Sequence, residues 1–315
     1  MPDDRTLVWT PLDPAELGEP PTGLRVEQVD PGQDGTTGLD EIADVAFYVP
    51  AYDTPVDLAS VLPAMKRLQV VQTQTAGVDT LLPHLPDGVV LCNARGVHDA
   101  STAELAVALL LASLRGIPDF VRAQPTGEWK YGERRSLADR TVLIVGHGSI
   151  GEALERRLEP FECRVVRVAR RPRTDGQGRE VHGLDDLPAL LADADAVVLL
   201  VPLSEQTRGL VDAEFLARMQ DGAVLVNVSR GPVVDTDALL AETTTGRLLA
   251  ALDVTDPEPL PADHPLWRSP GVLISPHVGG ATTAMRPRVL ALLRDQLARF
   301  AAAEPLLNVV RGPAP

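Results

Sequence analysis

Apolar residues along this chain fall in short runs, separated by turn-rich stretches or by segments whose apolar positions recur at a helical spacing. In the first third, TLVWT (6–10), RVEQVD (25–30), VAFYVP (45–50), QVVQTQT (69–75) and VVLCNAR (89–95) predict β-strands. VDLASVLPAMKRL (56–68) and TLLPHL (80–85) predict short helices between the later strands. The Pro-, Gly- and acid-rich stretches around 13–23 and 30–38 read as surface loops. STAELAVALLLASLRGI (101–117) predicts a long helix, with Ser101 or Thr102 near its N-cap and Glu104 in its first turn. It is apolar nearly all round and should be buried on more than one side. Residues 125–140 read as a loop.

A second series follows. Strands are expected at TVLIVG (141–146), CRVVRVA (163–169), AVVLLVP (196–202), AVLVNVS (223–229), LLAALDV (248–254) and GVLISPH (271–277). Helices are expected at 151–159, 186–193, 212–219 and 236–243, and a last one at 283–302, free to cross back to the first domain, precedes the tail PLLNVVRGPAP. Strands alternating with helices imply parallel sheets covered on both faces. The fold class is therefore α/β, with two doubly wound domains.

Composition narrows the possibilities. With 315 residues the chain is long enough for about two domains. Its formal charge of −15 repels phosphate backbones, and 3% aromatic residues leave little for base stacking, so nucleic acid is excluded as a partner. The longest apolar stretch, near 105–114, is shorter than a bilayer span, and MPDDRTLVWT resembles no signal peptide, so a cytoplasmic protein without a membrane partner is expected. Cys92 and Cys163 sit in apolar runs and are expected to be free thiols. No His, Cys or acid cluster has metal-ligand spacing. Only Lys66 and Lys130 are lysine, so a lone arginine carries little weight in this arginine-rich chain.

Gly146-His147-Gly148-Ser149-Ile150-Gly151 follows a predicted strand and opens a predicted helix. Glycines at this spacing permit a tight turn, let backbone approach a pyrophosphate and let helix and strand pack closely, while the helix N-terminus supplies free N–H donors. A dinucleotide is the expected ligand. The next strand ends at Ala169 and runs into Arg170-Arg171-Pro172-Arg173. An NAD site normally places a carboxylate there for the ribose 2′-OH; arginines instead suit a 2′-phosphate. NADP(H) is thus preferred, with NAD(H) possible.

Three further motifs end predicted strands: Asn227-Val228-Ser229-Arg230-Gly231, Asp253-Val254-Thr255-Asp256-Pro257-Glu258-Pro259 and Ser275-Pro276-His277-Val278-Gly279-Gly280. Ligands of open α/β sheets gather at that edge. With TAGVDTL (75–81), the stretch 97–115, VGHGSIG (145–151), VPLSEQTRGLV (201–211) and HPLW (264–267), these motifs make the chain resemble the D-isomer-specific 2-hydroxyacid dehydrogenases. Its Arg170-Arg171 tip is similar to that of the NADPH-preferring glyoxylate/hydroxypyruvate reductases. The resemblance covers nearly the whole chain. It implies a Rossmann nucleotide domain at 96–286 and a flavodoxin-like substrate domain at 1–95 plus 287–315.

The resemblance also implies a catalytic set of Arg230, Glu258 and His277. A keto acid presents a carboxylate and a carbonyl oxygen that gains charge as hydride arrives. Arg230 could hold both, His277 would protonate the alkoxide, and Glu258 would orient the imidazole and favour its charged form. The backbone amides of Ala76 and Gly77 would bind the substrate carboxylate together with Arg230 and His277. Thr102, Gly146, Gly148, Ser149, Ile150, Gly151, Arg170, Arg171, Pro202, Thr207, Val228, Ser229, Asp253 and Gly279 map to cofactor positions, and Tyr52 would line the substrate cleft. Most members have an apolar or aromatic residue where Thr255 stands, which bears on local packing.

The function implied is NADPH-dependent reduction of a small 2-keto acid, of the glyoxylate or hydroxypyruvate type, to a D-2-hydroxy acid. The long helix at 101–117 points to a homodimer. Two alternatives stay open: oxidation of phosphoglycerate type with NAD, and a non-enzymatic nucleotide-sensing protein of corepressor type.

Overall fold

The computed structural model describes residues 4–31, 39–52 and 54–312; residues 32–38 of the expected 30–38 loop lie outside them. The chain divides into two compact units, residues 1–98 with 283–315 and residues 99–282.

The first unit opens with β1 (Thr6–Thr10), α1 (Pro14–Leu17), β2 (Leu24–Gln28), β3 (Val45–Tyr48), α2 (Leu58–Ala64), β4 (Val70–Gln72) and β5 (Val90–Cys92). The strands pair in parallel in the order β5-β4-β3-β1-β2. Successive residues of one strand face opposite layers. Val8, Phe47, Val70 and Cys92 enter one core, whereas Leu7, Trp9, Tyr48, Val71 and Leu91 enter the other. Both faces are apolar because both are covered, as the uninterrupted runs required. The four-residue α1 lies within a stretch expected to be loop, and Asp13 caps it by accepting from the Ala15 amide.

The second unit begins with α3 (Asp99–Arg115) and α4 (Ile117–Ala123). The sheet follows: β6 (Thr141–Val145), α5 (Ser149–Leu158), β7 (Arg164–Val168), the hairpin β8 (Arg173–Thr174) and β9 (Glu180–Val181), α6 (Leu187–Leu190), β10 (Ala196–Leu199), α7 (Ala213–Arg218), β11 (Val224–Asn227), α8 (Thr236–Thr244), β12 (Leu249–Leu252) and β13 (Val272–Ile274). The six parallel strands run β7-β6-β10-β11-β12-β13. His182, just after β9, forms a parallel bridge with Val168. Counting that bridge as a third position gives the 3-2-1-4-5-6 order of a dinucleotide-binding sheet, extended by β13 as a seventh position, with its reversal between β6 and β10. Leu143, Val145, Val197, Leu199 and Leu225 pack on one face, and Val142, Ile144, Val198 and Val226 on the other.

The helix at 101–117 departs from expectation in two respects. It starts at Asp99, so Ser101 and Thr102 lie inside it rather than capping it; their hydroxyls reach Thr282 Oγ1 at 2.9 Å and the Gly279 carbonyl at 3.4 Å. Only one stripe is fully buried among its apolar residues, Ala103, Ala106, Leu109, Leu110 and Leu114, against Leu154 and Leu158 of α5; Leu105, Val107 and Leu111 stay half-buried. Among the described residues no single helix is long and apolar enough to cross a membrane.

The chain then returns to the first unit with α9 (Met285–Ala301) and β14 (Val309–Arg311). Val289, Leu290, Leu293 and Leu297 of α9 complete the core that holds Phe47. The expected tail is a strand: β14 pairs antiparallel with β5. Cys92 and Cys163 are free, and burial raises the Cys92 thiol to about 11.

Candidate active site

The glycine-rich turn leaves β6 at the sheet's reversal point, and each glycine has its own physical reason. Gly146 adopts φ +112°, and a Cβ there would stand 2.5 Å from the Leu200 carbonyl carbon and 2.7 Å from the Val201 nitrogen. Gly151 lies in the first turn of α5, where a Cβ would meet the Gly146 oxygen at 2.7 Å. Gly148 is different: it is exposed at the N-cap of α5, and a Cβ would meet nothing within 4 Å. The middle glycine therefore keeps open space beside free helix N–H groups, which is the cradle a pyrophosphate needs. The residues present fit a dinucleotide. Ser149 and Ile150 are half-buried at the same helix start, and the Ser149 hydroxyl donates to Asp99.

Beyond β7, Arg170 and Arg171 are exposed and make no hydrogen bond or ion pair among the described residues. With Pro172, Gly183, Leu184 and Gln206 they line an open groove of about 870 Å³, in which Asp185 and Asp186 also stand. Arg173 is set apart from them. Its guanidinium donates to the His147 carbonyl at 2.7 Å and so ties the start of the hairpin to the glycine turn.

The ends of β11, β12 and β13 lie side by side, with Asn227 level with Leu252 and Leu252 level with Ile274. That register brings the three downstream motifs to one sheet edge. After β11, Asn227 organises its loop: Oδ1 accepts from the Ser229 amide and hydroxyl at 3.0 and 2.7 Å, and Nδ2 donates to the Arg230 carbonyl at 3.0 Å. Arg230 is half-buried and its Nη1 donates to the Ser229 carbonyl at 2.7 Å. Gly231 touches the next loop so closely that a Cβ would collide with the Thr255 carbonyl. The Thr255 hydroxyl, in place of an apolar side chain, donates to the Pro257 carbonyl at 2.8 Å and so leaves no unsatisfied polar group.

Glu258 and His277 meet. The carboxylate Oε1 lies 2.5 Å from Nδ1 of the imidazole, and both side chains remain accessible at 40% and 47%. A carboxylate can only accept, so Nδ1 carries the proton and Nε2 is left for another partner. His277 sits at φ +54°, a left-handed conformation uncommon outside glycine. It persists because Asp253 anchors the loop on both sides. The Asp253 carbonyl accepts from the His277 amide at 2.7 Å. Its buried carboxylate accepts from the Ser275 hydroxyl at 2.7 Å and from the Val278 and Gly279 amides at 2.9 Å each. Sequence reasoning placed Asp253 among cofactor contacts and missed this role; only the Asp at the end of one strand and the Ser-Pro-His at the end of the next hinted at it.

The remaining expected cofactor positions have bonds of their own. The Thr207 hydroxyl donates to the Pro202 carbonyl at 2.6 Å and accepts from the Ser204 amide at 2.9 Å, which shapes the loop after β10. Thr102 joins Gly279 as described, and Val228 and Ser229 are buried where β11 ends.

In the first unit, the loop after β4 carries Ala76 and Gly77. Its carbonyls are tied back: Thr73 Oγ1 donates to Thr75 O, Asn93 Nδ2 to Ala76 O and Thr75 Oγ1 to Gly77 O, at 2.7–2.8 Å. The amides of Ala76 and Gly77 have no acceptor among the described residues, so this loop presents donors. Tyr52 stacks on His98 with ring centroids 5.7 Å apart, and His98 Nε2 lies 2.7 Å from the Gln74 carbonyl.

Known proteins resemble this chain in sequence and in fold. Residues 107–279 match the family model described as D-isomer specific 2-hydroxyacid dehydrogenase, NAD binding domain. The chain is 35% identical over 252 residues to the human glyoxylate reductase/hydroxypyruvate reductase, covering 76% of each chain. Among solved structures it resembles a D-isomer specific 2-hydroxyacid dehydrogenase from Xanthobacter autotrophicus Py2 in complex with NADPH and MES, with a TM-score of 0.81, 30% identity and 98% of each chain covered. It is also similar to an NADPH-dependent glyoxylate/hydroxypyruvate reductase from Sinorhizobium meliloti in complex with NADP and malonate, with a TM-score of 0.79, 27% identity, and 98% of this chain and 97% of that one covered. A dinucleotide cradle, an imidazole–carboxylate pair at the same sheet edge and sequence relatives along most of the chain agree: the protein belongs to the D-isomer-specific 2-hydroxyacid dehydrogenase family and is an NAD(P)-dependent oxidoreductase.

Proposed function

We propose that this protein reduces a small 2-keto acid of the glyoxylate or hydroxypyruvate type to the D-2-hydroxy acid, with NADPH as the preferred cofactor. The observation that carries this reading is the Glu258–His277 pair at the strand edge where Arg230 also stands. Glu258 holds the Nδ1 proton, which leaves Nε2 of a charged His277 to hand its proton to the carbonyl oxygen as negative charge develops there. The guanidinium of Arg230 neutralises that oxygen and the substrate carboxylate. The bound dinucleotide supplies the hydride. The glycine turn holds its pyrophosphate, and Arg170 and Arg171, uncommitted among the described residues, grip the 2′-phosphate. The relatives named above, one bound to NADPH and one to NADP, support the same preference.

The test is loss of reduced-nicotinamide absorbance with pure protein, glyoxylate or hydroxypyruvate, and NADPH or NADH. His277→Ala should abolish turnover while NADPH still binds; undiminished turnover would remove the acid assignment. Arg170→Ala with Arg171→Ala should weaken NADPH far more than NADH, and equal losses would show that these arginines do not bind phosphate.

A homodimer is proposed on a surface observation. Trp129 and Tyr131 are 92% and 93% exposed, and Ile117, Phe120 and Val121 are exposed in the same segment. So many exposed large apolar side chains within residues 117–131, together with the incompletely buried α3, favour a second copy as their cover.

A further inference from the structure

One buried charge cluster in the second unit has no part in the chemistry proposed above. Glu155, on α5, is 2% exposed. Its Oε1 accepts from Arg167 Nε at 2.8 Å, from Arg167 Nη2, and from Arg179 Nη1 at 2.7 Å. Its Oε2 lies 2.7 Å from Nε2 of His147, the equally buried second residue of the glycine turn. Arg179 also donates through Nε to Asp175 at 2.7 Å, and Asp175 accepts from the Gln177 and Arg179 amides at 2.8 and 2.9 Å. Arg173 then reaches the His147 carbonyl.

These bonds join four elements: α5, the glycine turn, β7 and the β8–β9 hairpin. The segment they bracket is short. Arg170 and Arg171 lie between Arg167, fixed to Glu155, and Arg173, fixed to the glycine turn, while Arg179 fastens the far side of the hairpin to the same carboxylate. A guanidinium already loses rotamer entropy when it settles on an anion. Holding its backbone beforehand spares it a further ordering cost, so the affinity gained for a phosphate depends on that support.

We propose that Glu155 is a positioning residue for dinucleotide selection: by clamping the β8–β9 hairpin to the glycine turn, it presents Arg170 and Arg171 to the 2′-phosphate. This rests on the reading of those two arginines as phosphate ligands. A purely structural cluster would affect NADPH and NADH alike, because both share the pyrophosphate cradle; a positioning role separates them.

Steady-state kinetics with each cofactor on the full-length wild type, Glu155→Gln and Arg179→Met decide the matter. Glu155→Gln keeps the shape and removes the charge. Arg179→Met, at a side chain only partly buried, serves if the first variant fails to fold. The expected result is a rise of about tenfold in KM for NADPH, with KM for NADH within about twofold and kcat retained. An equal rise for both cofactors, or no change for either, overturns the proposal. A wild type that does not favour NADPH overturns the underlying reading of Arg170 and Arg171 and this proposal with it. A wild type that favours NADPH alongside variants that keep the same preference overturns the role of Glu155 alone.

Discussion

Replacing Asp253 with asparagine changes almost no volume but removes a charge that three donors share. One oxygen takes the Ser275 hydroxyl and the Val278 amide, and the other takes the Gly279 amide. An asparagine has a single acceptor oxygen. Turned one way, its NH2 faces the Gly279 N–H; turned the other way, it faces the Val278 N–H. Either orientation leaves a backbone donor without its acceptor at a residue that is 3% exposed. A bond to a charged acceptor is worth about 1.5–3 kcal/mol, and each surviving bond weakens from charged to neutral strength by about 0.5 kcal/mol. The expected loss is about 2–4 kcal/mol, or about 5–15 °C in Tm for a unit of this size. The loop that loosens is the one holding His277 at φ +54°, so kcat should fall about ten- to a hundredfold through misplacement of the proton donor. Thermal unfolding and the rate of NADPH consumption measure the two effects together. A variant with Tm and kcat both within experimental error of the wild type would refute the argument that this carboxylate shapes the loop.

Other outcomes follow from the same geometry. Gly146→Ala should destabilise by about 1–3 kcal/mol from overpacking against the Leu200–Val201 backbone, in addition to its left-handed strain, whereas Gly148→Ala should keep its Tm and lose dinucleotide affinity in a fluorescence titration; if both lose only stability, the cradle is misassigned. Trp129→Ser with Tyr131→Ser should convert a dimer to monomer in light scattering, and an unchanged mass would move the interface elsewhere. Burial opposes ionisation of Glu155, but hydrogen bonds from Arg167 and His147 and the charges of Arg167 and Arg179 outweigh it and hold its pKa below the ordinary carboxylate value. The stability this contributes is therefore present above about pH 4 and lost as pH falls through the lower folded value. Urea unfolding should show the wild type's advantage over Glu155→Gln shrinking in that acid range; an advantage constant down to the lowest pH would contradict the linkage.

Elements with a long or strongly apolar period were legible in the sequence. Strands buried on both faces read as unbroken apolar runs, and helices of two turns or more repeat their pattern often enough to be seen. What escaped was short or lacked a pattern. The four residues of α1 cannot display a helical period. All three residues of β14 are exposed, so its strand exists through backbone pairing with β5 and not through alternation. The β8–β9 hairpin is two residues a side and depends on the turn built around Asp175. The helix at α3 looked buried all round because its composition is apolar, but composition does not say whether the covering surface comes from the same chain.

By itself the amino-acid order determined the α/β class, the dinucleotide turn and the strand ends where reactive side chains stand. Those features depend on local backbone chemistry: glycine conformational freedom, helix termini and alternation are properties of neighbouring residues. Tertiary structure alone decided which groups serve which. Asp253 grips a loop 26 residues further on, Gly231 admits the carbonyl of Thr255, and Glu155 gathers His147, Arg167 and Arg179 from three separate elements. Buried hydrogen bonds and ion pairs form between groups that the fold brings together, and no period or spacing along the chain encodes a partner from another element.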